Sequence, residues 1–160
     1  MTTDTLPGQS HPLGASIQPE GVNFAVYSKS ATAVELLFFD GPDDERPTRV
    51  FELDPDTNRT FQYWHILVPG VEPGQHYGYR VKGPWAPHKR MRFDGQKLLL
   101  DPYGLAVAVG ERYQRRAAAR PGPNLGRAMK SVVVDPWGYD WEGDRPLQRP
   151  YSDTVIYEMH

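Results

Sequence analysis

The sequence has 160 residues, of which 39% are hydrophobic and 24% are charged, and its formal net charge is −2. This composition supports a folded core and excludes a wholly disordered chain, while 15 Gly and 16 Pro favour short strands and turns over a helical bundle. Cysteine is absent, which excludes disulfides, cysteine-ligated metal centres and thiol catalysis.

Apolar and polar residues alternate with a period of two from residue 13 to about residue 82. Such alternation sends one set of side chains into a core and the other set to the opposite face of a sheet. Gly- and Pro-rich turns separate the segments. We therefore expect an all-β fold, an immunoglobulin-like antiparallel β-sandwich. Its predicted strands lie near residues 13–17, 21–28, 33–39, 48–53, 60–68, 75–82 and 97–100.

The pattern changes after the first hundred residues. Residues 104–120 predict the end of a strand and a helical turn, after which a Pro-Gly-Pro sequence breaks any helix. We expect residues 110–130 to be mobile. A short strand is predicted at 131–135, and residues 137–150 are typical of an irregular connector.

Residues 154–159 form a near-continuous apolar run, which is typical of a parallel strand buried on both faces. Parallel strands need neighbours that are reached through long crossover connections, and no residues follow to supply them. The sequence therefore predicts a β-sandwich over residues 1–105, a linker over 106–150, and the first strand of a truncated second domain over 151–160.

Charge is distributed unevenly along the chain. Acidic side chains outnumber basic ones in residues 1–60, whereas residues 110–130 are strongly basic. A nucleic-acid arm would explain the basic segment, but Tyr113 is its only aromatic residue, so a linker or a surface that docks on an acidic domain is favoured. The polar N-terminus and the lack of about eighteen consecutive apolar residues predict a cytoplasmic protein that has no membrane partner.

Motifs for catalysis or cofactor binding are absent from the sequence, including the phosphate-binding loop, the dinucleotide fingerprint and the zinc-protease motif. The five histidines lie singly, and the acidic run at residues 40–45 lacks the ligand spacing of a calcium loop. No carboxylate pair is placed for glycoside hydrolysis. We expect no catalytic residues, no metal and no cofactor in this chain.

Aromatic residues near the predicted strand ends form the most suggestive pattern for ligand binding. Flat rings at a surface stack on the apolar faces of sugars while polar neighbours bind the hydroxyl groups. Core packing is the alternative for Trp64, which lies within a strand, and a contact between domains is the alternative for Trp85. The candidate sugar contacts are Trp64, Trp85, Tyr63 and His65.

Several short segments, spread over nearly the whole chain, form a family pattern: residues 21–28, 33–36, 64–65, 69–75, 77–81, 83–84, 92–93, 97–103, 131–133, 140–141 and 153–160. In order and spacing they resemble the N-terminal domain of isoamylase-type glycogen debranching enzymes, and the block at 77–103 is the most specific. The chain departs from the family at Trp85, where Tyr is usual, and at Arg90 and Met91, where Gly-His is usual.

The resemblance implies a glycogen- or starch-binding-type sandwich that precedes a (β/α)8 barrel of the α-amylase superfamily, with residues 151–160 as the first barrel strand. Enzymes of this family hydrolyse α-1,6 branch linkages with an Asp nucleophile and a Glu acid/base, both in the barrel. This chain alone should therefore be inactive. The residues implied to contact the barrel are Tyr79, Arg80, Trp85, Arg92, Phe93, Asp101 and Tyr103.

The implied ligand is α-glucan, either glycogen or malto-oligosaccharides. Two other hypotheses stay open at this point. The chain could be a free-standing α-glucan-binding module, or the N-terminal domain of a related trehalohydrolase or branching enzyme. The block at 97–103 argues against the trehalohydrolase or branching enzyme.

Overall fold

A computed structural model of the chain describes residues 5–159. The first four residues of the predicted 1–105 domain and His160, at the end of the predicted last strand, lie outside the described residues. In residues 5–159 no helix is long and apolar enough to cross a membrane. The strands described are β1 (Gly14–Gln18), β2 (Gly21–Tyr27), β3 (Ala33–Phe39), β4 (Arg49–Glu52), β5 (Arg59–Thr60), β6 (Tyr63–Pro69), β7 (His76–Lys82), β8 (Trp85–Ala86), β9 (Met91–Arg92), β10 (Ala106–Ala108) and β11 (Lys130–Val132).

Two antiparallel sheets form the body of the fold. The first has the strand order β1-β2-β6-β5 and the second the order β10-β11-β7-β3-β4, and β8 pairs with β9 in a separate hairpin. A short helix, α1 (Arg115–Ala119), and three 3-10 turns, Pro87–Lys89, Leu125–Arg127 and Tyr151–Asp153, complete the elements of residues 5–159. The prediction of an all-β, antiparallel fold is confirmed.

Two predicted strands differ from those observed. The strand predicted at 60–68 is divided into β5 and β6 by a tight turn. Residues 97–100 form no strand, and Leu99 makes only an isolated bridge to Tyr79. The β8–β9 hairpin was not predicted, because two residues per strand are too few for a recognisable alternation.

The core lies between the two sheets, and Phe24 of β2 is near its centre. Its ring centroid is 5.4 Å from that of Phe38 and 5.0 Å from that of Tyr77, both in the second sheet. Tilted and edge-on ring pairs at this distance are favourable beyond the area that they bury. The other fully buried members of the cluster are Val22, Val34, Leu36, Trp64, Ile66, Val68, Tyr79 and Val133.

The outer face of the first sheet is covered by the N-terminal segment. Leu6 and Leu67 exchange two backbone hydrogen bonds of 2.9 and 3.0 Å. The Asn23 side chain accepts a hydrogen bond from the Gln9 N–H at 2.7 Å and donates one to the Gln9 carbonyl at 3.0 Å. Buried amides need such partners, so the cover satisfies the polar residue that it buries.

The outer face of the second sheet is covered by the segments on either side of β10, near residues 98 and 125. Leu37 and Phe39 of β3 pack with the buried Leu98, and Leu125 is packed against them. The Lys130 ammonium lies 4.6 Å from the centroid of the Phe39 ring, a favourable cation–π distance, and donates to the carbonyls of Leu125 and Pro42. The central strands of both sheets, β2, β6, β3 and β7, are thus buried on both faces.

A carboxylate joins the basic segment to the β3–β4 hairpin. Asp43 accepts hydrogen bonds from the backbone N–H groups of Glu111 at 3.1 Å and Arg112 at 2.9 Å, and the Arg112 guanidinium pairs with Glu45 at 2.7 Å. The N–H of Arg112 holds the pKa of Asp43 below its usual value, against the opposing effect of desolvation. The expected mobility of residues 110–130 remains a prediction. Amide hydrogen exchange at residues 111 and 112, whose N–H groups bind Asp43, can measure it.

Residues 154–159, predicted as a buried parallel strand, form no strand in the described structure. Val155, Ile156 and Tyr157 are each more than 80% exposed. A strand of this type is stable only between neighbouring strands that satisfy its backbone and cover both faces, and no described strand pairs with it.

We expect Asp43→Ala to accelerate amide hydrogen exchange at residues 111 and 112, since both N–H groups lose their acceptor. The wild-type protection should persist at neutral pH and be lost as the pH falls through the lowered pKa of Asp43, because a protonated carboxyl is the weaker acceptor. Asp56→Ala, which removes a carboxylate with no described hydrogen bond, is the control. Unchanged exchange at 111 and 112 in Asp43→Ala would show that the carboxylate does not hold the segment.

Candidate functional site

An open groove with a volume of about 1130 Å³ lies beside the β8–β9 hairpin. Its walls come from the end of β2, from the hairpin, and from residues 93–97 and 118–122. The side chains that matter to its chemistry are those of Tyr27, Trp85, Met91, Arg92, Phe93 and Arg120. We call this feature the Trp85 groove.

Trp85 is presented by a very short hairpin. It pairs with Arg92 across β8 and β9, and the 3-10 turn between these strands ends at Arg90 in the left-handed conformation (φ 61°). The Arg90 N–H donates to the Pro87 carbonyl at 2.9 Å, which closes the turn. The Trp85 side chain remains 67% exposed, so its ring is available to a ligand or to another domain.

Phe93 forms the partly buried side of the groove and packs against the core cluster. The ring lies directly over Gly83, where a Cβ atom would be only 2.6 Å from it. Glycine is therefore required at position 83 for the ring to pack in this place. Behind it, the Lys97 ammonium donates to the Ala117 carbonyl at 2.6 Å and holds α1 against the wall of the groove.

Basic side chains predominate around the groove. The one acidic side chain among its lining residues, Asp94, accepts backbone hydrogen bonds from Gln96 at 3.0 Å and Gly122 at 3.3 Å. The basic lining residues are Lys29, Arg90, Arg92, Lys97 and Arg120. Although the chain is slightly acidic as a whole, this surface suits a neutral polar ligand or an acidic partner surface.

Tyr27 connects the groove to the predicted sugar contact Tyr63. The two residues are cross-strand partners, and their rings make an edge-on contact with centroids 5.4 Å apart. The Tyr27 hydroxyl donates to Oε1 of Gln62 at 2.7 Å. Tyr27 was not among the predicted site residues. Its position at the end of β2, on the face opposite to the inward-facing Val26, is the sequence signal that could have identified it.

Two of the predicted sugar contacts, Trp64 and His65, are buried, and the prediction is corrected for them. The Trp64 side chain is 0% exposed, and the Arg59 guanidinium lies 4.9 Å above its ring. His65 is 5% exposed, with Nδ1 2.8 Å from the Pro7 carbonyl and Nε2 2.9 Å from the Thr60 hydroxyl. A sugar cannot stack on a ring that is already covered, so Trp64 is a core residue.

The residues implied to contact a barrel divide by exposure. Tyr79 and Asp101 are buried within this chain, so they do not offer a surface to another domain. Arg80 is half-buried, and its Nε donates to the Glu35 carboxylate at 2.7 Å. The implied residues that reach the surface of the fold are Trp85, Arg92 and Tyr103, beside the partly buried Phe93.

The Asp101 carboxylate is the centre of a buried polar network. One oxygen accepts from the Tyr77 hydroxyl at 2.9 Å and the other from the Tyr103 N–H at 2.8 Å, while the Asp101 N–H donates to the Ser131 hydroxyl at 2.9 Å. Burial raises the pKa of Asp101, because the charged form loses more hydration than these bonds replace. Burial, reinforced by Asp101, also raises the pKa of Tyr79.

A protein-family model described as "Carbohydrate-binding module 48 (Isoamylase N-terminal domain)" matches residues 12–104, which is more than half of the chain. The chain belongs to this family. The matched region contains strands β1 to β9, including the β8–β9 hairpin beside the groove. The resemblance to the N-terminal domain of isoamylase-type enzymes is therefore confirmed.

Relatives of the module are much longer than the chain itself. It is 41% identical, over 99% of its length, to the glycogen debranching enzyme of Serratia proteamaculans, of which it covers 24%. It is 42% identical, over 97% of its length, to the chloroplastic isoamylase 1 of Oryza sativa subsp. japonica, of which it covers 19%. The chain thus spans about a fifth to a quarter of the length of these curated relatives.

Solved structures share the fold of the module. A Paenibacillus barengoltzii pullulanase, crystallised with maltohexaose and alpha-cyclodextrin, matches 95% of the chain at 25% identity with a TM-score of 0.59, and 20% of the pullulanase is covered. The product complex of SpuA, a multi-modular glycogen-degrading pneumococcal virulence factor, matches 85% of the chain at 20% identity with a TM-score of 0.57, and 13% of SpuA is covered.

We expect Asp101→Asn to change how the stability of the module depends on pH. The raised pKa means that the folded state loses stability as the pH rises from about 4, the value for an unfolded Asp, through the folded-state pKa. Asparagine keeps an acceptor for the Tyr103 N–H and a polar partner for the Tyr77 hydroxyl, but it cannot ionise.

The advantage of Asp101→Asn over the wild type, measured as the difference in free energy of unfolding in urea, should therefore grow between pH 4 and pH 7. Asp101→Ala, the matched variant, removes both acceptor atoms and should cost about 1–3 kcal/mol at pH 4. This cost relative to the wild type should shrink as the pH rises, because alanine cannot ionise either. A difference between Asp101→Asn and the wild type that does not vary with pH would contradict the buried-charge argument.

Proposed function

We propose that this chain is the N-terminal, non-catalytic domain of a longer glycogen debranching enzyme of the isoamylase type, which hydrolyses α-1,6 linkages of glycogen or a related α-glucan. The observation that carries the proposal is 41% identity over 99% of the chain to a protein named glycogen debranching enzyme. The catalytic carboxylates would lie in the remainder of that longer protein, which makes this chain inactive alone.

The proposed domain plan follows from the exposed apolar residues near the end of the chain. In this plan residues 1–105 form the sandwich, with immunoglobulin-like topology, and 151–160 form the first strand of a catalytic (β/α)8 barrel. The linker, residues 106–150, is more than a connector, because its strands β10 and β11 complete the second sheet. Ile156 and Tyr157 are more than 80% exposed, although their composition suits a strand covered on both faces. A cytoplasmic location, where glycogen is stored, is part of the same proposal.

We propose that the surface around Trp85, Arg92, Phe93 and Tyr103 contacts the barrel. Arg80 is paired with Glu35, Tyr79 is buried, and Asp101 supports this surface by accepting a hydrogen bond from the Tyr103 N–H. The basic residues lining the groove favour an acidic surface on the barrel. Arg120 is one of them, which fits the sequence-based hypothesis that the basic segment docks on an acidic domain.

We propose that the exposed end of the Trp85 groove also binds α-glucan. Trp85 supplies an exposed ring for the apolar face of a glucose unit, and Tyr27, whose ring packs on that of Tyr63, supplies a second aromatic wall. The malto-oligosaccharides named in the pullulanase structure belong to the same class of sugar. The second candidate, a free-standing α-glucan-binding module, uses the same groove without a barrel.

The size of the native polypeptide distinguishes the two candidates. We expect an immunoblot of source cells, with an antibody raised against this domain, to reveal a product longer by at least the roughly 250 residues of a barrel. The purified 160-residue chain should release no linear chains from glycogen. A native product near 18.2 kDa, the mass of this chain, would favour the free-standing module and remove the debranching function.

We expect Trp85→Ala to weaken co-sedimentation with glycogen about tenfold, the effect of losing roughly 1.4 kcal/mol of ring stacking. Its stability should hardly change, because the ring is 67% exposed. Trp137→Ala, which removes a ring that is 92% exposed and outside the groove, is the matched control. If Trp85→Ala binds like the wild type, or Trp137→Ala is equally weakened, the groove is not the sugar site.

A further inference from the structure

Phe61 occupies a position that the fold does not explain. It is the first residue of the two-residue loop between β5 and β6, since Thr60 pairs with Tyr63. Its backbone is left-handed (φ 55°), and its side chain is 88% exposed. In such loops this conformation is normally taken by Gly, Asn or Asp, because a larger side chain crowds the backbone. A phenyl ring here neither relieves strain nor buries apolar area.

The loop that presents Phe61 is held firmly on both sides. Nε of Arg59 donates to the Phe61 carbonyl at 2.8 Å, and the same guanidinium lies over the buried Trp64 ring. On the other side, the Tyr27 hydroxyl fixes the Gln62 side chain at 2.7 Å. An exposed ring on a fixed backbone loses little conformational entropy when it binds, which is a property of good contact residues.

Polar residues flank Phe61 along the chain. Its neighbours along the chain are Arg59, Thr60 and Gln62, and the next exposed ring, that of Tyr63, carries a hydroxyl. The core of a protein–protein interface is instead depleted in charged residues and contiguous in its apolar surface. An isolated ring framed by hydrogen-bonding groups matches a sugar, which has an apolar face and a rim of hydroxyls.

We propose that Phe61, Gln62 and Tyr63 form a second α-glucan contact, the hairpin platform, outside the Trp85 groove. Tyr27 borders both, because it lines the groove and packs on Tyr63. A glucan chain that lies in the groove therefore continues onto the platform, where a glucose unit stacks on the Phe61 ring. The amide of Gln62 donates to a sugar hydroxyl, while its oxygen is held by Tyr27. The platform rests on the proposed glucan binding of the groove.

The test is Phe61→Gly in the 160-residue chain, measured by glycogen co-sedimentation and by thermal unfolding. Glycine adopts a positive φ without crowding, so the melting temperature should rise, while removal of the ring should weaken glycogen binding about fivefold. Opposite changes in stability and affinity cannot arise from partial unfolding. Phe61→Tyr, which keeps the ring, should bind as the wild type does.

The control is Tyr151→Ala, which removes a ring that is 92% exposed and lies outside the platform. If the wild type binds glycogen and Phe61→Gly binds it equally well, the platform is overturned and the glucan-binding function of the groove stays in place. Equal losses in Phe61→Gly and Tyr151→Ala overturn it as well, because the effect would then be one of exposed rings in general. Absence of glycogen binding in the wild type overturns both the platform and the groove.

Discussion

The buried Asp101 carboxylate organises the region on which the candidate site depends. The hydrogen bonds of this carboxylate join β7, through Tyr77, to the turn at Tyr103. The backbone N–H of Asp101 donates to the hydroxyl of Ser131 in β11. The Leu99–Tyr79 bridge then holds residues 97–103 along the same β7 strand. Since the groove residues 91–97 come directly before this segment, its attachment to β7 determines where Phe93 lies. An ionisable group at this point costs hydration, and the network of bonds is what makes it tolerable.

Cover on both faces of the central strands is the second constraint on the fold. A domain of this size buries a limited share of its surface, and segments laid across the outer faces extend that share. Each covering segment also hydrogen-bonds to a buried polar side chain. In the N-terminal segment the Gln9 N–H donates to the Asn23 side chain, and the Pro7 carbonyl accepts from His65. In the second segment the Leu125 carbonyl accepts from the Lys130 ammonium. These bonds fix the position of segments that pair with the sheets at few residues.

The strands were predictable because their alternation has one physical cause, a sheet with one face in the core. The cover on the other face was not, since it depends on contacts between residues distant in sequence, such as Asn58 with Pro7. Trp64 shows the limit of aromatic type as a signal: it alternates with Ile66 and Val68 into the core, and Arg59 contacts its ring through the β5–β6 pairing. Trp85 was predictable as exposed, because flanking prolines cannot continue a central strand.

The exposed apolar side chains of the module fall into two physical groups. Trp85 and Phe61 stand on tight, hydrogen-bonded turns whose backbone is already ordered. Val155, Ile156 and Tyr157 instead belong to no strand of the described structure, so placing them in a strand requires a surface that supplies backbone hydrogen bonds as well as apolar cover. Fixed rings suit a ligand that is bound and released, whereas an unpaired strand sequence suits permanent packing. Because the two groups share no residue, substitutions at residues 155–157 can change strand packing without removing the rings of Trp85 and Phe61.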